Sequence, residues 1–309
     1  MPQPHRLHWI ILAQLAGLGC ADRSSAPTPA VPTPAVPAAT VPMASPSTTA
    51  AVVPAPATFP PPQHVGDPCS AAVPCPPPLQ CQLSFDGAHF SETGVCTNGP
   101  VVYEGRPLVV DGMPRTATLI DGGSAAPMSD PLVPRLLLAA REEHASIAAF
   151  GRTLLALLHL GAPTDLLRAT QEALADEIRH AEDLLAAAVR HGAAPVTFGP
   201  LPEATAEFRG DVAAGLLEEV LTGGCIGETL AAFRAEARAA AHPSIRALCL
   251  RIADDEARHA ALAFATVRFL VARRADLVPT VDARFARFRA EANASELACV
   301  APVWDAALH

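Results

Sequence analysis

A five-residue motif that occurs twice within a helical pattern constrains this chain more than any other feature. The motif is DEIRH at 176–180 and DEARH at 255–259. Around both copies, apolar residues recur at intervals of three and four, which is the spacing of an amphipathic helix. A glutamate and a histidine three residues apart emerge on the same side of a helix. The motif therefore predicts two helices that each present a carboxylate and an imidazole on an apolar face.

The half of the chain around this motif has the pattern of four helices. From about residue 131, prolines retreat to the joints between segments and apolar residues keep a helical spacing. The predicted helices are 131–160, 164–191, one that begins at Asp211 as its N-cap, and one that begins after Pro243. The proline-containing segment 192–210 is long enough to cross the length of a bundle. We therefore predict an all-α fold, a four-helix bundle with one long crossover.

The first and third helices each add one glutamate to the apolar interior, Glu143 and Glu228. Burying an ionised carboxylate without a partner is prohibitive, so four buried glutamates require positive charge among them. Two divalent cations would neutralise four carboxylates, and a site rich in oxygen with two imidazoles suits iron or manganese. The alternative interpretation is a set of solvated surface charges, with Arg179 and Arg258 paired to their neighbours.

Four strings in this region resemble a known family. They are EHASIAAF at 143–150, DEIRHAE at 176–182, GCIGETLAAF at 224–233 and DDEARHA at 254–260. They resemble the ferritin-like, di-iron carboxylate domains carried by bacterial lipoproteins. The resemblance implies that 131–275 is a ferritin-like bundle that binds two iron ions, with manganese as the alternative metal.

The resemblance also implies roles for individual residues. The implied metal ligands are Glu143, Glu177, His180, Glu228, Glu256 and His259. Glu177 and Glu256 are implied to bridge the two ions. Asp176 and Asp255 resemble the aspartates that orient ligating imidazoles, which fixes the ring and its tautomer.

The first 65 residues predict export. Residues 1–20 resemble a lipoprotein-type signal peptide, with a weakly basic start, an apolar segment too short to span a membrane, and small residues before Cys20. Cys20 would carry lipid; a plain secretory signal is the alternative. Residues 21–65 are almost all Ala, Pro, Val, Thr and Ser, which predicts a disordered linker. We expect a membrane-anchored protein in the periplasm or at the cell surface.

A small disulfide-rich module is predicted at 66–100. Its four cysteines are Cys69, Cys75, Cys81 and Cys96. In an exported protein such a set predicts two disulfides, whose pairing the sequence leaves open. A zinc site is the rival interpretation, but no Cys-x-x-Cys pair is present. Residues 101–130 are predicted to be a linker or short strands without chemistry, Val101–Tyr103 and Leu108–Val110 among them, and 276–309 a tail with one short amphipathic helix.

Three glycines crowd the turn before Glu228, namely Gly223, Gly224 and Gly227. Each interior glycine costs roughly 1 kcal/mol relative to alanine. One interpretation is a π-bulge or a substrate channel beside the metals, since irregular turns often occur at functional sites. The other is close packing between helices.

Composition and absent motifs narrow the function. The formal net charge of −9 argues against a nucleic-acid partner. The sole tyrosine, Tyr103, lies outside the predicted bundle, which argues against a tyrosyl-radical subunit. We expect oxygen or peroxide chemistry of the oxidase or hydroxylase type, with an external electron donor for an oxygenase, because no flavin or dinucleotide fingerprint is present. The alternative is a non-enzymatic metal-binding or structural surface lipoprotein.

Overall fold

Most of the described chain is helical, which confirms the predicted all-α class. The computed structural model describes residues 6–18, 67–70, 80–85, 90–97, 106–121, 130 and 132–308. Cys20, the linker at 21–65, Cys75 and the strand predicted at Val101–Tyr103 lie outside these ranges. Among the described residues, no helix combines the length and the apolar character that crossing a membrane requires.

Helices of 8 to 28 residues form the body of the molecule. They are α1 (Arg6–Leu18), α2 (Leu132–His159), α3 (Thr164–Arg190), α4 (Val212–Glu219), α5 (Thr229–Ala241), α6 (Arg246–Arg273), α7 (Val278–Glu291) and α8 (Ala294–Leu308). A π-helical segment, Val220–Glu228, joins α4 to α5, so that these three together form the predicted third helix. α2 packs along α3, while α5 and the π-helical segment pack along α6, which also contacts α3.

Local sequence explains where these helices begin and end. The side chain of Asp211 accepts hydrogen bonds from the backbone N–H groups of Ala213 and Ala214, which confirms the predicted N-cap. Gly161, with φ of 67°, lies just beyond α2 in the left-handed conformation that commonly ends a helix. Pro243 begins a 3₁₀ turn, Pro243–Ile245, that leads into α6.

Short antiparallel strands accompany the helices. They are β1 (Pro68–Ser70), β2 (Gln80–Phe85), β3 (Phe90–Thr97), β4 (Leu108–Val110), β5 (Met113–Arg115), β6 (Leu119–Asp121) and β7 (Val196–Phe198). β4 confirms the strand predicted at that position and pairs with β5. β6 pairs with β7, so the segment before α2 is hydrogen-bonded to the crossover between α3 and α4.

Part of the predicted cysteine module is described. The three strands β1, β3 and β2 form one sheet, and Cys81 lies opposite Cys96 in the β2–β3 register. Cys96 is disulfide-bonded, as the disulfide interpretation expects for this residue.

α1 packs against α6 and α8. Its residues Leu7, Ile11 and Leu15 are buried, and Arg6 Nη1 lies 2.9 Å from Asp254 Oδ1. This helix falls within the predicted signal peptide, whose cleavage before Cys20 stays a prediction.

The C-terminal tail contains two helices, α7 and α8, where the sequence predicted one. Val281, Phe285 and Phe288 of α7 are buried, as expected. The Trp304 ring of α8 stacks on Phe285, with ring centroids 4.5 Å apart. The sequence pattern missed α8 because Pro302 lies inside it, and an interior proline ordinarily breaks a helix.

Candidate metal centre

The six side chains predicted as metal ligands converge in the interior of the helical body. Glu143 lies on α2, Glu228 is the last residue of the π-helical segment, and the two Glu-x-x-His pairs lie on α3 and α6. None of the six residues is more than 2% exposed. The interpretation as solvated surface charges is therefore wrong for these glutamates.

The six side chains form two overlapping groups of potential ligands. The first group is Glu143, Glu177, His180 and Glu256, and the second is Glu177, Glu228, Glu256 and His259. Within each group, one ligand atom per residue can be chosen so that all four atoms lie within 4.8 Å of one another. Glu177 and Glu256 belong to both groups, which is the arrangement that the predicted bridging role requires.

Both imidazoles turn the same nitrogen toward the carboxylates. His259 Nδ1 lies 3.0 Å from Glu177 Oε1, and His180 Nδ1 lies 3.5 Å from Glu256 Oε1. The two ring centroids are 6.0 Å apart. Each group therefore offers three carboxylates and one imidazole nitrogen within reach of a single ion.

The other nitrogen of each imidazole meets an aspartate of the opposite motif copy. His180 Nε2 lies 2.9 Å from Asp255 Oδ2, and His259 Nε2 lies 3.3 Å from Asp176 Oδ2. When Nε2 donates its proton to the aspartate, Nδ1 presents a lone pair to the interior. The predicted orienting role thus has the necessary geometry, and it crosses between α3 and α6.

Two arginines hold these aspartates in turn. Arg179 Nη2 lies 2.6 Å from Asp176 Oδ1 and 2.7 Å from Asp255 Oδ2. Arg258 pairs with the same two carboxylates. Burial tends to raise the pKa of Asp176, but hydrogen bonds from His259 and Arg179 outweigh it and hold that pKa well below its usual range. Both arginines thus pair with neighbours, as the surface-charge interpretation expected. The aspartates that they pair with also contact the two imidazoles of the buried site.

The pKa values of several interior groups are shifted by burial and by neighbouring charges. Burial, together with the nearby carboxylates Glu143 and Glu256, raises the pKa of Glu177 well above its usual range. Burial and Glu256 do the same to the pKa of Glu228. Burial lowers the pKa of His180, but its hydrogen bond with Asp255 and the adjacent carboxylates raise that pKa far more. Burial would raise the pKa of Glu256 too, but its contacts with Glu228 and the two histidines outweigh burial and hold that pKa well below its usual range. Without a cation, Glu177, Glu228 and His180 therefore favour their protonated forms.

Several buried polar atoms of this interior lack hydrogen bonds, and their arrangement is suited to binding a cation. Both carboxylate oxygens of Glu177, Glu228 and Glu256, and Nδ1 of both histidines, are buried without a hydrogen-bond partner among the described residues. Buried polar atoms are normally paired, so a cluster of carboxylate oxygens and imidazole nitrogens without hydrogen bonds requires an explanation. The site can hold a metal ion, because metal coordination would satisfy these atoms together.

The glycine-rich turn before Glu228 shows both features that the sequence left open. The segment is π-helical, as the bulge interpretation predicted. It is also closely packed, since a Cβ atom on Gly224 would lie 2.5 Å from the Cβ atom of Ala263 on α6. The π-helical turn and the glycine together bring Glu228 to the interior at short distance from α6.

Sequence reasoning missed Arg106, which lies in the segment where no chemistry was expected. Arg106 is fully buried, and its Nε lies 3.5 Å from Glu228 Oε1. Its guanidinium lies over the Phe150 ring, 4.2 Å from the centroid. A single arginine before a short strand has no periodicity or motif around it, so no sequence signal could have found it.

No protein-family model matches this chain, and no curated protein or solved structure matches it either. The six converging side chains and their surroundings are therefore what supports a function.

Proposed function

We propose that this chain is a ferritin-like protein whose helical bundle binds two iron ions, with manganese as the alternative metal. The overlap of the two ligand groups at Glu177 and Glu256 carries the proposal. Four carboxylates contribute four negative charges, which two divalent cations balance. Carboxylate oxygens combined with imidazole nitrogens suit iron and manganese.

The described geometry supports a role for each side chain. Glu177 and Glu256 would bridge the two ions. Glu143 and His180 would complete one position, and Glu228 and His259 would complete the other. The same arrangement, with single glutamates on two helices and Glu-x-x-His on the other two, is known in four-helix bundles with dimetal carboxylate sites.

We propose oxygen or peroxide chemistry of the oxidase or hydroxylase type. Bound iron(II) supplies the capacity to bind and reduce oxygen or peroxide. The chain supplies a buried interior, in which the Phe150 ring lies edge-on to His259 with centroids 5.2 Å apart. Asp176 and Asp255 hold the imidazoles in one orientation. An oxygenase would take its electrons from an external donor.

We propose that the protein is exported and anchored to a membrane through lipid on Cys20, in the periplasm or at the cell surface. The signal-like residues 1–20 and the proline-rich linker at 21–65 support this location. The disulfide at Cys96 supports an oxidising compartment. The negative net charge argues against a nucleic-acid partner.

The first experiment measures metal bound to the full chain after anaerobic loading with Fe(II). We expect two iron atoms per chain in the wild type and fewer than one in Glu256→Gln, because Glu256 belongs to both ligand groups. Glu182→Gln is the matched control, since Glu182 is exposed on α3. Equal loading of Glu256→Gln and the wild type would refute the dimetal site.

Oxygen uptake then separates the enzymatic from the non-enzymatic alternative. Loaded wild-type protein is mixed with air-saturated buffer, and its oxygen consumption is compared with that of Fe(II) alone and of Glu256→Gln. Uptake faster than in both controls supports the oxidase interpretation. Two bound iron atoms without faster uptake would favour a non-enzymatic metal-binding lipoprotein.

A further inference from the structure

A fully buried arginine lies against one side of the acidic cluster. Arg106 Nε is 3.5 Å from Glu228 Oε1, and both side chains are almost completely shielded from solvent. Arg106 Nη1 donates a hydrogen bond to Thr153 Oγ1 at 3.3 Å. Its guanidinium also stacks over Phe150. Arginine keeps its charge in such a setting, so a fixed positive charge lies beside Glu228.

The π-helical segment makes room for this arginine. A Cβ atom on Gly223 would lie 3.0 Å from Arg106 Cγ, and one on Gly224 would lie 2.9 Å from Arg106 Nη2. A side chain at either position would therefore press on Arg106. The two glycines let the backbone approach the arginine closely, which explains why costly interior glycines are present here.

The arginine makes the two metal positions unequal. Glu228 belongs only to the group that contains His259, and not to the group that contains Glu143 and His180. Arg106 pairs directly with the ligand Glu228, whereas among the described residues no ion pair joins an arginine to Glu143. A positive charge close to a cation site opposes binding there, and the effect is strong in a dry interior.

We propose that Arg106 is a positioning residue that holds Glu228 and weakens the metal position formed with His259, so that the two positions fill in sequence. The position with Glu143 and His180 fills first. The position that contains Glu228 would take the second ion, against repulsion from a guanidinium whose Nε lies 3.5 Å from Glu228 Oε1. This inference rests on the proposed dimetal site.

The test is anaerobic titration of the metal-free full chain with Mn(II), monitored by electron paramagnetic resonance. In the wild type, we expect the first equivalent to give the signal of isolated Mn(II), and the second to give a coupled pair with weaker affinity. In Arg106→Met, the second step should tighten by about tenfold or more, since a fixed positive charge is removed. Coupled pairs should then form already at one equivalent.

Conservative and distant variants keep the test specific. Arg106→Lys keeps the charge without the planar guanidinium and should keep the two separate steps. Arg106→Gln removes the charge but keeps a polar side chain, and it serves as the neutral variant if the methionine variant does not fold. Arg273→Met is the matched control, because Arg273 stacks on Phe269 at the surface with its guanidinium 4.5 Å from the ring centroid.

The outcomes separate this inference from the proposed function. A wild-type protein that binds no Mn(II) would refute the dimetal site itself. A wild type that binds two ions, with the second step unchanged in both Arg106→Met and Arg106→Gln, would overturn only the role of Arg106. Loss of the separate steps in Arg106→Lys would likewise overturn a role based on charge.

Discussion

Replacing Glu177 with glutamine should remove most of the stabilisation that metal gives this protein. Glu177 is fully buried and belongs to both ligand groups, so the substitution takes one ligand and one negative charge from each position. Glutamine has nearly the same shape. Because burial and the carboxylates Glu143 and Glu256 raise the pKa of Glu177, its neutral form already suits the metal-free interior. We therefore expect Glu177→Gln to fold.

The magnitude follows from ligand linkage. A free ligand at 100 times its Kd stabilises a protein by about 2.7 kcal/mol per site, hence by about 5 kcal/mol when the metal concentration is 100 times the Kd of each of the two positions. For a folded unit of roughly 150–250 residues, about 1 kcal/mol shifts the Tm by roughly 2–4 °C. Saturating metal should thus raise the Tm of the wild type by on the order of 10–20 °C.

The assay is a thermal melt, with and without Mn(II) under anaerobic conditions, for the wild type, Glu177→Gln and Glu172→Gln. Glu172 is exposed on the same helix, so its variant should respond to metal like the wild type. Glu177→Gln should show a Tm rise of a few degrees at most, roughly what weak residual binding would give. A full Tm rise in Glu177→Gln would refute a bridging position for Glu177.

Further predictions concern the aspartates, pH and the glycine-rich turn. Asp255→Asn should weaken Mn(II) binding about 10–100-fold in a competition titration, because the acceptor that orients His180 loses its negative charge. The metal-free protein should lose stability in urea as pH rises above about 5, since the raised pKa values of Glu177 and Glu228 make the folded state hold more protons than the unfolded state. Gly224→Ala should lower the free energy of unfolding by about 1–3 kcal/mol, because the added methyl group meets Ala263.

Each of these predictions has its own control. Asp183 lies on α3 and accepts a hydrogen bond from Arg251 at the surface. Asp183→Asn removes this charged acceptor and should leave Mn(II) affinity unchanged. The pH trend should reverse when metal is present, since metal binding requires deprotonated ligands. A metal-free protein that is equally stable at pH 5 and pH 8 would contradict the raised pKa values, and a Gly224→Ala variant as stable as the wild type would contradict the close packing.

The helices and the converging residues could be predicted from the sequence because the residues that define both recur at helical spacing along the chain. The apolar spacing placed α2 and α3 to within one residue at each end. The repeated Glu-x-x-His, together with Glu143 and Glu228 on the apolar faces of two other predicted helices, was enough to indicate six residues that meet. Helical periodicity is a local property, so it is visible without any knowledge of which helices are neighbours.

Long-range contacts could not be predicted in the same way. The spacing of the motif places Asp176 beside Glu177, but it does not show that Asp176 reaches His259 on another helix. The β6–β7 pairing joins two segments that are far apart in sequence. Arg106 reaches Glu228 only because the chain before α2 folds back onto the π-helical segment. Such contacts depend on tertiary packing, which no single segment encodes.

The most direct test of the central claim is a crystal structure of the protein loaded with manganese, with the metal located by its anomalous scattering. We predict two peaks about 3.5–4 Å apart, the separation usual for a pair of bridged ions. Both peaks should lie among the six side chains, with Glu177 and Glu256 between them. A single peak, or peaks outside this interior, would contradict the account.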